Sequence, residues 1–327
     1  MFYKSLSLII LLFSFLHGTD TYYWKEDYQK TISTAKESKK ALIIAFLGTD
    51  WCPWSEKLES DVLMKEKFLE GLRDEAIFVR LDFPEYGKGE VNKELARLKE
   101  KFKIAEFPTL LLLDEEENEI IKLGYMPMQP EEFSLYIKKM LADWSFVKKA
   151  TAAGCDLLKE DALESLYLKA KSSGFNGFKE EILEKGLALA RGPFFVMEKY
   201  ATLIECGKKM SKPEMQTLRK EILKRDPHNK KGTQLKLAVL DFQVLANKKN
   251  QKYDPKVIIE PLKEYVKKFG AKDKENLWHV EMMMAQYLYS KKMVENALSH
   301  AKASYEAAPS DAKSEILETI NYLVEQK

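Results

Sequence analysis

Apolar positions in the first half of the chain fall into short runs separated by longer stretches with helical periodicity. Ala41–Leu47 and Ala76–Leu81 are nearly continuous apolar runs ending at turn-like residues, the pattern of central strands buried on both faces. Thr109–Leu113 and Glu119–Leu123 flank the polar segment Asp114–Asn118, which predicts an antiparallel hairpin. Between these runs, Trp24–Ser38, Pro53–Leu72, Val91–Phe102 and Pro130–Leu141 space their apolar residues as helices do. The predicted order is helix, strand, helix, strand, helix, strand, strand, helix, that of an α/β domain with partly parallel strands. Beyond about Ser145 the strand-like runs cease and amphipathic stretches follow one another, so the second part is predicted to be all-α.

Two segments of that second part stop at a proline followed by polar residues: Arg219–Asn229, with Pro227, and Ala301–Asp311, with Pro309. Ala285 and Ala297 precede Pro309 at helical spacing, where small side chains let two helices approach closely. The pattern resembles tetratricopeptide repeats, although the two prolines are not separated by a multiple of that repeat's period of about 34 residues. An array of TPR-like helical hairpins is the expectation. At the other end, Lys4, the apolar run Leu6–Leu16 and His17-Gly18 match the basic, apolar and small-residue regions of a secretory signal peptide. The run is shorter than the roughly 20 apolar residues that cross a bilayer, and no later segment reaches that length. The expected organisation is a signal peptide at 1–18, an α/β domain at 19–144 and a helical domain at 145–327. The protein is expected to be exported, periplasmic or secreted, without a stable membrane span after signal cleavage.

Composition narrows the function classes. With 45% hydrophobic and 32% charged residues the chain can build real cores and is not a disordered sequence. Lys and Arg number 53 against 51 Asp and Glu, which leaves no bulk basic field, so nucleic acid is not an expected partner. The three cysteines, Cys52, Cys155 and Cys206, are too few for a disulfide scaffold and include no CxxC pair. His228, His279 and His300 lack ligand spacing, and no metal or other cofactor is expected. Met282–Met284, beside Trp278 and Tyr287, reads as helix core, and Lys248–Lys252 as a solvated loop or face. Phosphate-cradling glycine loops, HExxH and GxSxG are all missing, so no competing enzyme class is indicated.

The chemistry concentrates at Gly48-Thr-Asp-Trp51-Cys52-Pro53-Trp54-Ser55, where an apolar strand gives way to a helix. Pro53 suits the first helical position, which places the Cys52 thiol over the helix start. Unpaired N–H groups and the helix dipole favour thiolate over thiol there, and the thiolate is the attacking species. Here the sequence resembles the thioredoxin superfamily, in particular its secreted branch with a WCxWC-type motif after a Gly-Ser/Thr-Asp lead-in. Four landmarks over Trp24–Leu141 carry the resemblance: Trp24 with Ala35-Lys36 and Lys39-Lys40, the Gly48–Trp54 motif, Leu81-Asp-Phe-Pro84, and Phe107-Pro108-Thr109 followed by Gly124-Tyr125. The resemblance implies a thioredoxin-like fold, a cis Pro108 facing Cys52, and a peptide-binding backbone at Phe107. It also brings Trp51, Pro53 and Trp54 to the substrate surface.

Two departures from that family matter. Ser55 stands where a dithiol member has its resolving cysteine, and Phe46 stands where thioredoxins proper keep a buried carboxylate. Cys52 cannot close a disulfide within its own motif, so a mixed disulfide must be released by a client thiol, an external thiol reductant or a distant cysteine. Ser55 is a candidate hydrogen-bond donor to the Cys52 thiolate, the alternative being simple occupancy of the helix surface. Cys155 and Cys206 are either a structural disulfide or two buried free thiols. Two functions remain open. The first is thiol–disulfide exchange at Cys52 on client proteins or peptides, as isomerase, monothiol exchanger or redox-linked chaperone with a helical client-binding domain. The second is a non-catalytic binding module in which the helical repeats carry the interaction.

Overall fold

The computed structural model describes residues 23–85, 93–247 and 254–326. The expected signal peptide at 1–18, the Lys248–Lys252 run and the first residues of the helix expected at Val91 lie outside them. The described residues form two compact units, one of those up to Gly154 with Leu166–Lys179, the other of Cys155–Ser165 with those from Glu180 onward.

The first unit is a five-stranded mixed sheet between helices. Its strands are β1 (Trp24–Lys25), β2 (Ala41–Leu47), β3 (Ala76–Asp82), β4 (Thr109–Leu113) and β5 (Glu119–Leu123), in the spatial order β1-β3-β2-β4-β5. β1 and β2 run parallel to β3, whereas β4 is antiparallel to both β2 and β5. Six of the seven β2 residues are buried, as a central strand covered on both faces requires. The helices are α1 (Tyr28–Ser38), α2 (Pro53–Leu58), α3 (Glu66–Leu72), α4 (Lys93–Lys101) and α5 (Pro130–Ala152). Leu42, Ile44 and Phe46 of β2 share a core with Tyr28, Ile32 and Ala35 of α1 and Leu98 of α4. On the opposite face Phe68 of α3 lies against Phe78 of β3 and Phe133 of α5.

Three elements differ from the sequence expectation, each for a tertiary reason. Trp24 opens a strand instead of a helix; its indole donates to the Leu63 carbonyl at 3.2 Å, and Asp27 starts α1 by accepting from Lys30 N at 2.9 Å. The helix expected over Pro53–Leu72 is broken into α2, a π-turn at Glu59–Leu63 and α3, with Lys65 extended between them. α5 continues past Leu141 and through Ser145, because Trp144 and Lys148 both donate to Asp114 at the β4–β5 turn, at 3.2 and 2.9 Å. Asp114 is itself 2% exposed and accepts from the backbone of Glu116 and Asn118, so the turn and the helix lock each other.

Every described regular element after Leu123 is helical. α6 (Glu160–Ser172) and α7 (Asn176–Leu189) follow α5, and then come α8 (Phe194–Glu205), α9 (Pro213–Arg225) and α10 (Thr233–Ala246). The last five are α11 (Pro255–Ile258), α12 (Glu260–Phe269), α13 (Leu277–Ser290), α14 (Val294–Ala307) and α15 (Lys313–Glu325). Ala285 on α13 and Ala297 and Ala301 on α14 are at most 1% exposed in the core that α10 to α15 share. Ala308 turns extended before Pro309 and ends α14. After α9 the Asp226 carboxylate accepts from Lys230 N and Thr233 N and begins α10.

Candidate functional site

The C-terminal end of the central strand β2 leads into the Cys52 segment. Gly48 N-terminal to it packs directly beneath the Trp51 indole: a Cβ on Gly48 would lie 2.3 Å from that ring, so only glycine fits. Cys52 N donates to the Gly48 carbonyl at 2.7 Å, and Cys52 then leaves the turn with φ −108° and ψ 106° as the N-cap of α2. Pro53 takes the first helical position. Ser55 N and Glu56 N close on the Cys52 carbonyl at 2.9 and 3.1 Å, which fixes the sulfur at the start of the first turn.

The thiol is mostly buried, and its Sγ lies 3.6 Å from the Phe107 carbonyl oxygen. The Phe107–Pro108 peptide is cis. Trp51 covers one side: its indole donates to the Phe83 carbonyl at 2.7 Å and meets the Phe107 ring edge-on at 5.4 Å. The Trp54 ring lies 5.0 Å from Tyr125, with Lys57 over the Tyr125 ring. Trp51 is 37% and Trp54 55% exposed, so the residues that flank buried Cys52 in the chain present aromatic surface to solvent. Ser55 is completely buried, and its hydroxyl has no hydrogen-bond partner among the described residues. Phe46, also fully buried, packs against Phe83 and Phe102, so the position of the absent carboxylate is filled by an aromatic core.

Cys52, Ser55, Trp51, Pro53, Trp54, Phe107 and Pro108 thus converge at one end of the sheet. Cys155 and Cys206 belong to the other unit and are separate thiols in this structure, the first buried and the second exposed. Burial pushes the Cys155 thiol up. His300 reaches Glu281 at 2.6 Å within the α13–α14 packing, and no cluster of metal-ligating groups occurs among the described residues. No helix among them is long and apolar enough to cross a membrane.

Sequence reasoning did not assign roles to Thr49, Arg80, Asp82 or Tyr125, which the structure brings to the same place. Asp82, at the end of β3, accepts from Thr49 N at 3.0 Å and from Thr49 Oγ1 at 2.5 Å. Burial works against its ionisation, but the Thr49 donors and the Arg80 guanidinium outweigh it and hold the carboxyl below the usual range. The signal was present in the Leu81-Asp-Phe-Pro84 landmark, but its partner is more than thirty residues away and spacing alone does not pair them.

The chain is similar to known thioredoxin-like proteins. The family model described as a thioredoxin-like domain matches residues 28–141. The thioredoxin-related protein DsbJ of Chlamydia pneumoniae is 31% identical over 98% of this chain and 93% of its own length. The disulfide bond reductase DsbH of the same organism is 27% identical over 31% of this chain and 63% of its own. A solved DsbH oxidoreductase structure aligns at 25% identity and a TM-score of 0.33, covering 36% of this chain and 83% of that one. With a thioredoxin-like α/β unit around Cys52, a helical remainder and a match to DsbJ over both, the chain belongs to the family of Dsb-type thioredoxin-related proteins.

Proposed function

We propose that this protein is an exported thiol–disulfide exchange protein in which Cys52 is the sole nucleophile of the thioredoxin-like domain and the helical domain recruits clients. The observation that carries the reading is the pairing of a recessed Cys52 Sγ, 3.6 Å from the Phe107 carbonyl beside Pro108, with a serine at the resolving position. The Cys52 thiolate attacks one sulfur of a client disulfide; a new S–S bond forms and the other client sulfur leaves as a thiolate. A client thiol or an external thiol then attacks the mixed disulfide and returns Cys52 to the thiol state. When the second thiol is the client's own, no net electrons are transferred and the outcome is isomerisation. Ser55 lies in the first turn of α2 after Cys52, and its buried hydroxyl, which makes no hydrogen bond to the resting thiol, is the side-chain donor assigned here to the sulfur anion when it forms. Names among the relatives, DsbJ and a disulfide bond reductase, are consistent with disulfides as substrates. The N-terminal Lys4 and Leu6–Leu16 pattern supports export.

The reading is tested by incubating the full-length mature protein with a disulfide-bonded peptide and mapping adducts by mass spectrometry after acid quenching. A peptide mixed disulfide on Cys52, lost in Cys52→Ser, is the expected result. Adducts confined to Cys206, with Cys52 unmodified, would overturn it.

A further inference from the structure

A half-buried charged network ties the two ends of α2 together. Arg80, in the middle of β3, pairs through Nε with Glu59 at 2.5 Å and through Nη2 with Asp82 at 2.7 Å. Glu59 is the first residue of the π-turn that follows α2, whereas Asp82 holds Thr49, three residues before Cys52. Arg80 Nη2 also comes within 3.5 Å of Thr49 Oγ1. The Trp51 indole bond to the Phe83 carbonyl anchors the same loop to the next residue of β3's exit. The loop before Cys52 and the turn after α2 therefore share one guanidinium.

We propose that Glu59, Arg80, Asp82 and Thr49 form a positioning network that holds Cys52 against Phe107 in the orientation needed to attack a disulfide. The inference rests on the exchange function proposed above. Two physical arguments favour this over a stabilising role. Side-chain exposure of 24% for Arg80, 17% for Glu59 and 25% for Asp82 means all three charges have lost much of their hydration, and an apolar cluster of the same size would stabilise the fold as well or better. What a hydrogen-bonded ionic cluster supplies instead is a unique geometry. Moreover, the π-turn departs from ordinary helix at the residue that reaches Arg80, and such insertions concentrate where a site demands a particular placement. Disulfide exchange needs the attacking sulfur in line with the S–S bond it breaks, so a small displacement of Cys52 is costly.

The test uses the full-length mature chain carrying Cys155→Ala and Cys206→Ala, so that only Cys52 reacts, with oxidised glutathione as the disulfide. One glutathionyl group bonds to Cys52 and the other leaves as glutathione, which is measured to give a second-order rate constant. Asp82→Asn and Thr49→Val are expected to lower that constant about tenfold, and by the same factor across about pH 6 to 9, because position and not protonation is altered. Thr49→Ser, which keeps both donors, is expected to stay within about twofold of the parent. Urea unfolding of each variant shows that the folded state is being assayed. If Asp82→Asn and Thr49→Val react within about twofold of the parent whatever their stability, the network is structural only and the inference is wrong. A parent chain that fails to react at all would instead overturn the exchange reading itself, and this inference with it.

Discussion

Replacing Ser55 by alanine separates stability from reactivity at one atom. The Ser55 hydroxyl is fully buried and unpartnered while Cys52 is a resting thiol. A buried donor without a partner costs about 1–3 kcal/mol, and alanine is favoured over serine within a helix by roughly 0.5 kcal/mol. The void left by one oxygen recovers only part of this, so Ser55→Ala should stabilise the thioredoxin-like unit by about 1–2 kcal/mol. With a urea dependence of about 2 kcal/mol per molar, the unfolding midpoint should rise by about 0.5–1 M. Tryptophan fluorescence reads the correct unit, since Trp24, Trp51, Trp54 and Trp144 lie in it and only Trp278 of the five does not. If the hydroxyl serves the sulfur anion, the same variant should form its mixed disulfide about tenfold more slowly, the worth of one hydrogen bond to a charged group. A midpoint that falls, or a rate that is unchanged in a stabilised variant, would refute the reasoning.

Other consequences follow from the packing and charges. Gly48→Ala should displace the Trp51 indole, break its bond to Phe83 and destabilise the unit by about 1–3 kcal/mol, seen as a lower urea midpoint and altered Trp fluorescence. An unchanged emission spectrum would contradict that packing. Asp114 resists ionisation through burial, but the Asn118 and Lys148 hydrogen bonds outweigh this and hold its carboxyl below the usual range. A depressed folded-state pKa contributes stability that is present above the unfolded carboxyl value near 4 and is lost as pH falls through the folded value. The wild-type urea midpoint should therefore fall on acidification below about pH 4, more steeply than that of Asp114→Asn, which should already be weakened by about 2 kcal/mol at neutral pH. Parallel pH profiles for the two proteins would show that Asp114 does not contribute.

Much of this fold is legible in the residues. The strands Ala41–Leu47 and Thr109–Leu113 are read to their ends because each is a dense apolar run bounded by polar or turn residues, and Glu119–Leu123 because the polar turn Asp114–Asn118 returns the chain beside Thr109–Leu113. What escapes is whatever depends on partners far along the chain. The two-residue strand at Trp24 has no pattern of its own and exists because β3 offers it an edge. The break after Leu58 is invisible in periodicity, since the π-turn is set by Glu59 reaching Arg80 across the sheet. α5 outruns its expected end because Asp114, thirty residues upstream, holds Trp144 and Lys148. At the site, Trp51, Cys52, Ser55, Phe107 and Pro108 stand out through local chemistry and through the family resemblance. Thr49 and Asp82 lie within noticed landmarks, but their mutual hydrogen bonds are a property of the folded sheet alone.

The central claim is that Cys52 exchanges disulfides as a single thiol, with isomerisation as the outcome when the client's own thiol resolves the mixed disulfide. It is tested most directly by giving the protein a scrambled, fully oxidised disulfide protein with a trace of thiol, and following regained native activity. The account predicts regained native activity that requires Cys52, with Ser55→Cys gaining insulin reduction at the expense of added dithiothreitol. Equal rates for the wild type and Cys52→Ser would contradict it.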